Sequence, residues 1–350
     1  MYMNKWKKCK LGDALNFRRG HDLPKSSMIE GEVPVAGSNG VIGYHNVSTP
    51  ISPCITIGRS GNVGTPYIYN KCWAHNTVLY IDDYKGNHPR YLYYLLKNLP
   101  LASFGGGSAV PTLNRNHIHP IEISLPPLAE QKRIADILSA VDDKIELNRR
   151  INANLEQQAQ ALYKSWFVDN KKDDWEEVEL GDIATILAGG DKPEIYVDKQ
   201  TDDCKVPIYS NGIDNEGLFG YTRCAKIYEH SITISARGTI GFVCLRTEPY
   251  VPIVRLISVI PQYNNLSAEY LYLWAITQNI SGTGTTQQQL TIPYFKKTKI
   301  IIPNQELLIK FNKVISPIFI TLKKNKTENN NLSNLRDTLL PKLMSGEIKV

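Results

Sequence analysis

A chain of 350 residues is too long for one ordinary core and suits two domains of about 150 residues each. Hydrophobic content of 42% with 21% charged residues excludes global disorder, and no run of 18 apolar residues offers a membrane-spanning helix. The net charge of +6 is too mild for a protein that holds nucleic acid by charge alone.

The start, Met1–Lys10, lacks the apolar stretch of a secretory signal. Six cysteines without a CxxC pair read as free thiols of a reducing cytoplasm, with no zinc site expected. Charge is unevenly spread. Residues 1–127 carry 13 Lys/Arg against 7 Asp/Glu, and residues 128–170 carry 6 against 7. Residues 171–302 carry 13 against 16, and residues 303–350 carry 8 against 4.

The chain repeats itself. Trp6-Lys7-Lys8-Cys9-Lys10-Leu11-Gly12-Asp13 returns 169 residues later as Trp175-Glu176-Glu177-Val178-Glu179-Leu180-Gly181-Asp182. Ser38-Asn39-Gly40 returns as Ser210-Asn211-Gly212 at an offset of 172, after which the offset settles at 177. Gly43-Tyr44 then matches Gly220-Tyr221, Ile55-Thr56-Ile57 matches Ile232-Thr233-Ile234, and Gly61 and Gly64 match Gly238 and Gly241. Leu113 and Pro126 match Leu290 and Pro303. One unit has been duplicated.

In chain order, each copy opens with about 125 residues of mixed α and β. The runs Cys54–Ile57 and Ser231–Ile234, bounded by Gly, Asn and Pro, read as strands. A helix is expected over Pro89–Asn98 and again over Ser267–Gln278, each followed by a glycine-rich loop, Phe104–Ser108 and Ser281–Gly284. Beyond Pro127 and Pro303 come some 40 residues without glycine, which predicts a long helix.

Steps of four and three along the first long helix pick out Ile134, Leu138, Val141, Ile145, Asn148, Asn152, Leu155, Ala159, Leu162 and Trp166. The second gives Leu308, Phe311, Ile315, Ile318, Leu322, Asn325, Asn329, Leu332, Arg336, Leu339 and Leu343. Both are stripes of coiled-coil width, and each carries two successive Asn layers in its middle. If the helices run antiparallel, Asn148 faces Asn329 and Asn152 faces Asn325, which penalises slips of register; otherwise these amides merely edge a drifting stripe. Pro317 should kink the second helix.

The expected architecture is therefore mixed α/β. Two similar domains, 1–127 and 171–302, are separated by two long antiparallel coiled-coil helices, 128–170 and 303–350.

Chemistry is conspicuous by what is missing. There is no GxxxxGK[ST] loop, no dinucleotide fingerprint, no HExxH, no GxSxG and no Asn-Pro-Pro-Tyr/Phe tetrapeptide. His117 and His119, before Pro120 in a stretch read as extended, are the nearest approach to a metal pair and read as loop histidines. No catalytic and no metal residue is assigned.

What remains is recognition. Around the matched glycines of the first copy lie Ser38, Asn39, His45, Asn46, Arg59, Ser60, Asn62, Asn114 and Arg115. The second copy has Ser210, Asn211, Arg223, Arg237, Thr239, Gln287, Gln288 and Gln289. Arg pairs with guanine, and Asn or Gln with adenine, in the major groove. Each of these side chains is equally compatible with an ordinary solvated loop. Arg59 and Arg237, each just before a matched glycine, are the nearest to a repeated pair. A coiled-coil adaptor with duplicated protein- or ligand-binding domains is the competing reading.

Three strings carry a family resemblance. Leu125-Pro126-Pro127-Leu128-Ala129-Glu130-Gln131-Lys132-Arg133-Ile134-Ala135-Asp136-Ile137-Leu138, continued by Asp142-Asp143-Lys144-Ile145-Glu146-Leu147-Asn148, resembles the opening of the central helix of type I restriction-modification specificity (S) subunits. Leu335-Arg336-Asp337-Thr338-Leu339-Leu340-Pro341-Lys342-Leu343-Met344-Ser345-Gly346-Glu347-Ile348 resembles the end of their C-terminal helix. The Trp…Leu-Gly-Asp starts match where the family's target recognition domains begin.

The resemblance spans essentially the whole chain. It implies two target recognition domains that each read half of a bipartite double-stranded DNA site. It also implies paired helices that set the spacing and dock two methyltransferase (M) subunits, with restriction (R) subunits joining. S-adenosylmethionine, ATP and Mg are expected on those partners and no cofactor on this chain, with the complex in the cytoplasm and no membrane partner.

Overall fold

The computed structural model describes residues 6–106, 111–282 and 289–350. The chain divides into two compact units, Met1–Asn148 with Thr327–Val350, and Arg149–Lys326. The division cuts both long helices between their two asparagine layers.

In the first unit, Lys7–Lys10 pairs antiparallel with Glu122–Leu125. A four-stranded antiparallel sheet runs Asn16–Arg19, Val78–Asp83, Cys54–Gly58, Pro66–Tyr69. A three-stranded sheet has Val33–Gly37 between Gly40–His45 and Trp73–Ala74, the last pairing being parallel. Helix Pro89–Asn98 begins on a proline, whose fixed φ and missing N–H suit a first turn. It buries Tyr91, Leu92, Tyr94, Leu95 and Leu96 in a core shared with Phe17, Ile55, Ile57 and Ile81.

The second unit repeats the plan strand for strand. Its four-stranded sheet runs Ala184–Ala188, Ile257–Pro261, Ser231–Ile234, Val243–Arg246, and its three-stranded sheet Leu218–Thr222, Val206–Tyr209, Val251–Pro252. Helix Ala268–Thr277 is capped by Ser267, whose hydroxyl accepts from the Tyr270 amide at 3.1 Å. Among the matched glycines, Gly64 and Gly241 have φ of +78° and +84°. A Cβ there would also stand 2.6 Å from the Ala102 nitrogen and 2.7 Å from the Ile280 oxygen, so only glycine fits both turns.

The central helix, Leu128–Tyr163, passes into a π-helical stretch, Lys164–Asp169. The C-terminal helix, Gln305–Ser345, runs unbroken through Pro317, so the expected kink does not interrupt it. Within each unit the two helices are antiparallel. In the first, Ile134, Ala135 and Leu138 share a core with Leu340, Leu343 and Met344, and Arg336 donates to Asp142 at 2.7 Å. In the second, Ala159, Tyr163 and Phe167 share one with Leu308, Phe311, Ile315, Phe319 and Leu322.

The asparagine layers repeat one bonding pattern. Asn148 Nδ2 donates to Asn329 Oδ1 (2.9 Å), and Asn329 Nδ2 donates to the Ile145 carbonyl (3.3 Å). Moved by 177 residues, Asn325 donates to Asn152 (2.8 Å), and Asn152 to the Leu322 carbonyl (3.2 Å).

Two expectations need correction. The buried face is wider than the stripe: Val141, Leu155, Leu162, Ile318, Leu332 and Leu339 on it are only half-buried, while Ala135, Ser139, Tyr163, Phe319, Leu340 and Met344 off it are buried. Toward their ends the helices pack on a domain as well as on each other, which takes a globular face. His117 and His119 are not in an extended stretch either; they lie in and just after a short helix, Arg115–Ile118, capped by Asn114.

Candidate nucleic-acid interface

Three segments of the first unit converge on one cleft of about 560 Å³. The end of strand Asn16–Arg19 brings Arg18 and Arg19, the turn after Cys54–Gly58 brings Arg59, and the short helix brings Asn114 and Arg115. Backbone bonds hold the turn. The Arg59 amide donates to the Thr77 carbonyl (2.8 Å), the Arg59 carbonyl accepts from the Leu113 amide (2.7 Å), and the Gly61 amide donates to Pro111 (3.1 Å). Arg115 is steadied by a bond from Nη1 to the Phe17 carbonyl at 3.1 Å.

The lining holds four arginines and one carboxylate, Asp22, to which the Asn76 amide donates. Just outside it, Asp82 lies 3.9 Å from Arg18. Behind the short helix, His119 Nε2 accepts from the Phe17 amide at 3.2 Å. Burial, helped by Arg115 and Lys85, holds this imidazole below its ordinary pKa, so the ring stays the neutral acceptor that bond requires.

The remaining loop residues of the first copy have mixed fates. Ser38 is buried, its hydroxyl within reach of the Ser60 (2.6 Å) and Thr77 (2.8 Å) carbonyls. His45 is buried too and accepts from the Ile29 amide. Asn114 accepts from the Asn116 amide, and Asn62 from the Thr65 hydroxyl. Asn39 and Asn46 are exposed, and Ser60 pairs with Thr112 across an isolated bridge.

In the second copy the scaffold recurs with other side chains. The Leu290 amide donates to the Ala236 carbonyl at 3.1 Å, which makes Ala236 the counterpart of Arg59. Arg237 therefore stands one position on, opposite Ser60, and bonds Gln289 Oε1 at 3.0 Å. Strand register equates Arg18 and Arg19 with Leu187 and Ala188, and the first residue of the short helix, Arg115, with Ile292. All four arginine positions are apolar in the second unit.

Asn211 bridges the Ala236 amide and the Val254 carbonyl, and the Ser210 amide donates to Gly217. Arg223 is exposed, while the Thr239 hydroxyl is buried without a partner among the described residues. Gln287 and Gln288 lie outside the described residues, as do parts of both glycine-rich loops. No cluster of three metal-ligating side chains occurs among the described residues, and no helix there is long and apolar enough to cross a membrane.

Arg18 and Arg19 were not among the sequence candidates. The signal available was their conversion to Leu and Ala in the copy.

With this duplicated scaffold in view, the comparisons are decisive. The model of the type I restriction modification DNA specificity domain matches twice, over residues 3–157 and 172–335. The chain belongs to the type I restriction-modification specificity family. It is similar to a Mycoplasma pneumoniae protein named as a type I specificity subunit, 30% identical over 326 residues that cover 89% of this chain and 88% of that one. The type I restriction enzyme MjaIX specificity subunit of Methanocaldococcus jannaschii is 29% identical over 303 residues, covering 74% of this chain and 69% of its own.

Among solved structures, the S subunit of a type I system from M. genitalium superposes with a TM-score of 0.69 at 19% identity, over 98% of this chain and 97% of that one, a likeness of fold. These findings favour the specificity subunit over the adaptor.

Proposed function

We propose that this chain is the non-catalytic DNA-reading subunit of its complex, each target recognition domain reading one half of a bipartite double-stranded site. Residues 1–127 and 171–302 are the readers. Residues 128–170 and 303–350 are the paired helices that set the spacing and dock two M subunits, with R subunits joining the complex. Methyl transfer and cleavage, with S-adenosylmethionine, ATP and Mg, belong to those partners in the cytoplasm. Among the sequence candidates, Arg59, Arg115, Arg223 and Arg237 are the cationic side chains offered to DNA.

One observation carries this reading: a single scaffold of turn and short helix occurs twice with different side chains, which is what two unlike half-sites demand. The test is to express the chain with its methyltransferase partner and map methylated bases across a genome. The expected result is one two-part motif with a fixed gap, and no methyl transfer from S-adenosylmethionine by the purified chain alone. A continuous motif, or transfer by the lone chain, would refute the proposal.

A further inference from the structure

The two copies do not offer DNA the same charge. In the first, Arg18, Arg19, Arg59 and Arg115 line one cleft with a single carboxylate, and with Asp82 3.9 Å from Arg18 just outside it an excess of two positive charges remains. Asp22 is itself bonded by Asn76, and Arg19 and Arg59 have no ion-pair partner among the described residues. Like charges that line one cleft repel one another unless an anion sits among them. In the second copy the same positions hold Leu187, Ala188, Ala236 and Ile292. The imbalance extends to whole domains: residues 1–127 carry 13 Lys/Arg against 7 Asp/Glu, and residues 171–302 carry 13 against 16.

Resting on the DNA-reading function above, we propose that the two domains divide their labour. The arginine cleft of the first clamps the sugar-phosphate backbone and supplies most of the salt-dependent grip. The second contributes recognition with few phosphate contacts. The ligand class at the cleft is the phosphodiester rather than a base edge. Its guanidiniums come from three separate segments around an open cleft, an arrangement that surrounds an anion, whereas reading a guanine takes one bidentate arginine.

The experiment uses the complex of this chain with its methyltransferase partner, titrated over a range of salt onto two duplexes. One carries the mapped site and the other an unrelated sequence. Each phosphate neutralised adds about 0.9 to the steepness of log K against log salt. Arg19→Gln and Arg59→Gln should each lower that slope by about 0.9 and weaken both duplexes by the same factor, while Lys296→Gln, at the exposed end of the second domain's short helix Ile292–Lys296, leaves the slope unchanged.

Three results would overturn the division of labour: slopes that ignore both arginine variants, a Lys296→Gln effect equal to theirs, or a loss confined to the mapped duplex with the slope intact. A wild-type complex that does not prefer its mapped site would sink the DNA-reading function itself. A complex that does prefer it, with slopes indifferent to the arginines, overturns only this inference.

Discussion

In the first unit, Asp142 on the central helix accepts from Arg336 at 2.7 Å and from the Tyr94 hydroxyl at 2.8 Å. The corresponding positions of the second unit hold Phe319, Ala159 and Leu273, all buried in one apolar cluster. The reverse exchange occurs on the outer strand of the four-stranded sheet. There Tyr69 of the first unit is replaced by Arg246 of the second, only 3% exposed and 3.5 Å above the Tyr209 ring.

The same fold has therefore settled the same junctions once with ions and once with hydrocarbon. Two solutions persist because a buried ion pair and a well-packed apolar cluster of similar volume are close in free energy. What neither tolerates is half of an exchange.

The sharpest break in the comparison should come from Arg246→Ala. The guanidinium bonds Thr233 Oγ1 (3.0 Å) and the Glu216 carbonyl (2.6 Å), and its charge is met by the Glu216 carboxylate at 3.6 Å. Glu216 sits in the loop where the repeat offset grows from 172 to 177, so the five extra residues supply a partner that the first unit neither has nor needs. Loss of a packed, cation–π-bonded side chain and two hydrogen bonds should cost about 3–4 kcal/mol. The check is the denaturation midpoint, with protection from hydrogen exchange lost in strands Ser231–Ile234 and Val243–Arg246. Arg246→Ala with an unmoved midpoint would mean that the charge is idle.

A smaller effect is expected where the first unit keeps its ions. Asp142→Ala should cost about 2–3 kcal/mol, because Arg336 and Tyr94 lose their shared acceptor. The triple exchange Tyr94→Leu, Asp142→Phe, Arg336→Ala, which copies the second unit, should return stability to within about 1 kcal/mol of the parent. Denaturant midpoints of the single and triple variants decide the matter. A triple variant weaker than Asp142→Ala would show that the two junctions are not interchangeable.

The asparagine layers test where the copies agree. Asn329→Ala and Asn152→Ala each remove one acceptor and one donor of the repeated pattern, and each should cost about 1–2 kcal/mol. The two costs should agree to within about 0.5 kcal/mol. A clear inequality in their unfolding free energies would deny that the 177-residue symmetry is energetic as well as geometric.

Much of this was legible in the sequence, and the reason is periodicity. The two long helices, both asparagine layers, the strands around Ile55 and Ile232 and the helices after His88 and Ser267 all follow from spacing that recurs twice, whereas the width of the buried helix face does not. The loops resisted because a polar residue does not announce its burial. Ser38 and His45 resembled loop contacts yet spend their polar atoms inside the fold. Arg59 and Arg237 are already one residue out of step in the sequence, 178 apart against 177, and the backbone bonds place Ala236 opposite Arg59 accordingly. Glu216 and Arg246 were invisible because their meeting depends on a loop path that no local pattern encodes.

The slightest effect expected is a difference in acid sensitivity. Two imidazoles of the first unit are held below their ordinary pKa. Burial is the main cause at both His88 and His119, with Arg115 and Lys85 adding to it at His119. Their counterparts in the second unit are Ser267 and Lys296, neither of them a histidine. A base whose folded pKa is depressed gives full stability above its unfolded value, about 6.5 for histidine, and loses it as pH falls through the folded value. Between about pH 7.5 and 5.5, amide protection corrected for intrinsic exchange should therefore fall in the first unit, led by the Phe17 amide that His119 accepts, and hold in the second. His119→Gln keeps a neutral acceptor for that amide and should flatten the decline there. Equal losses in both units, or a decline unchanged by His119→Gln, would break this part of the comparison.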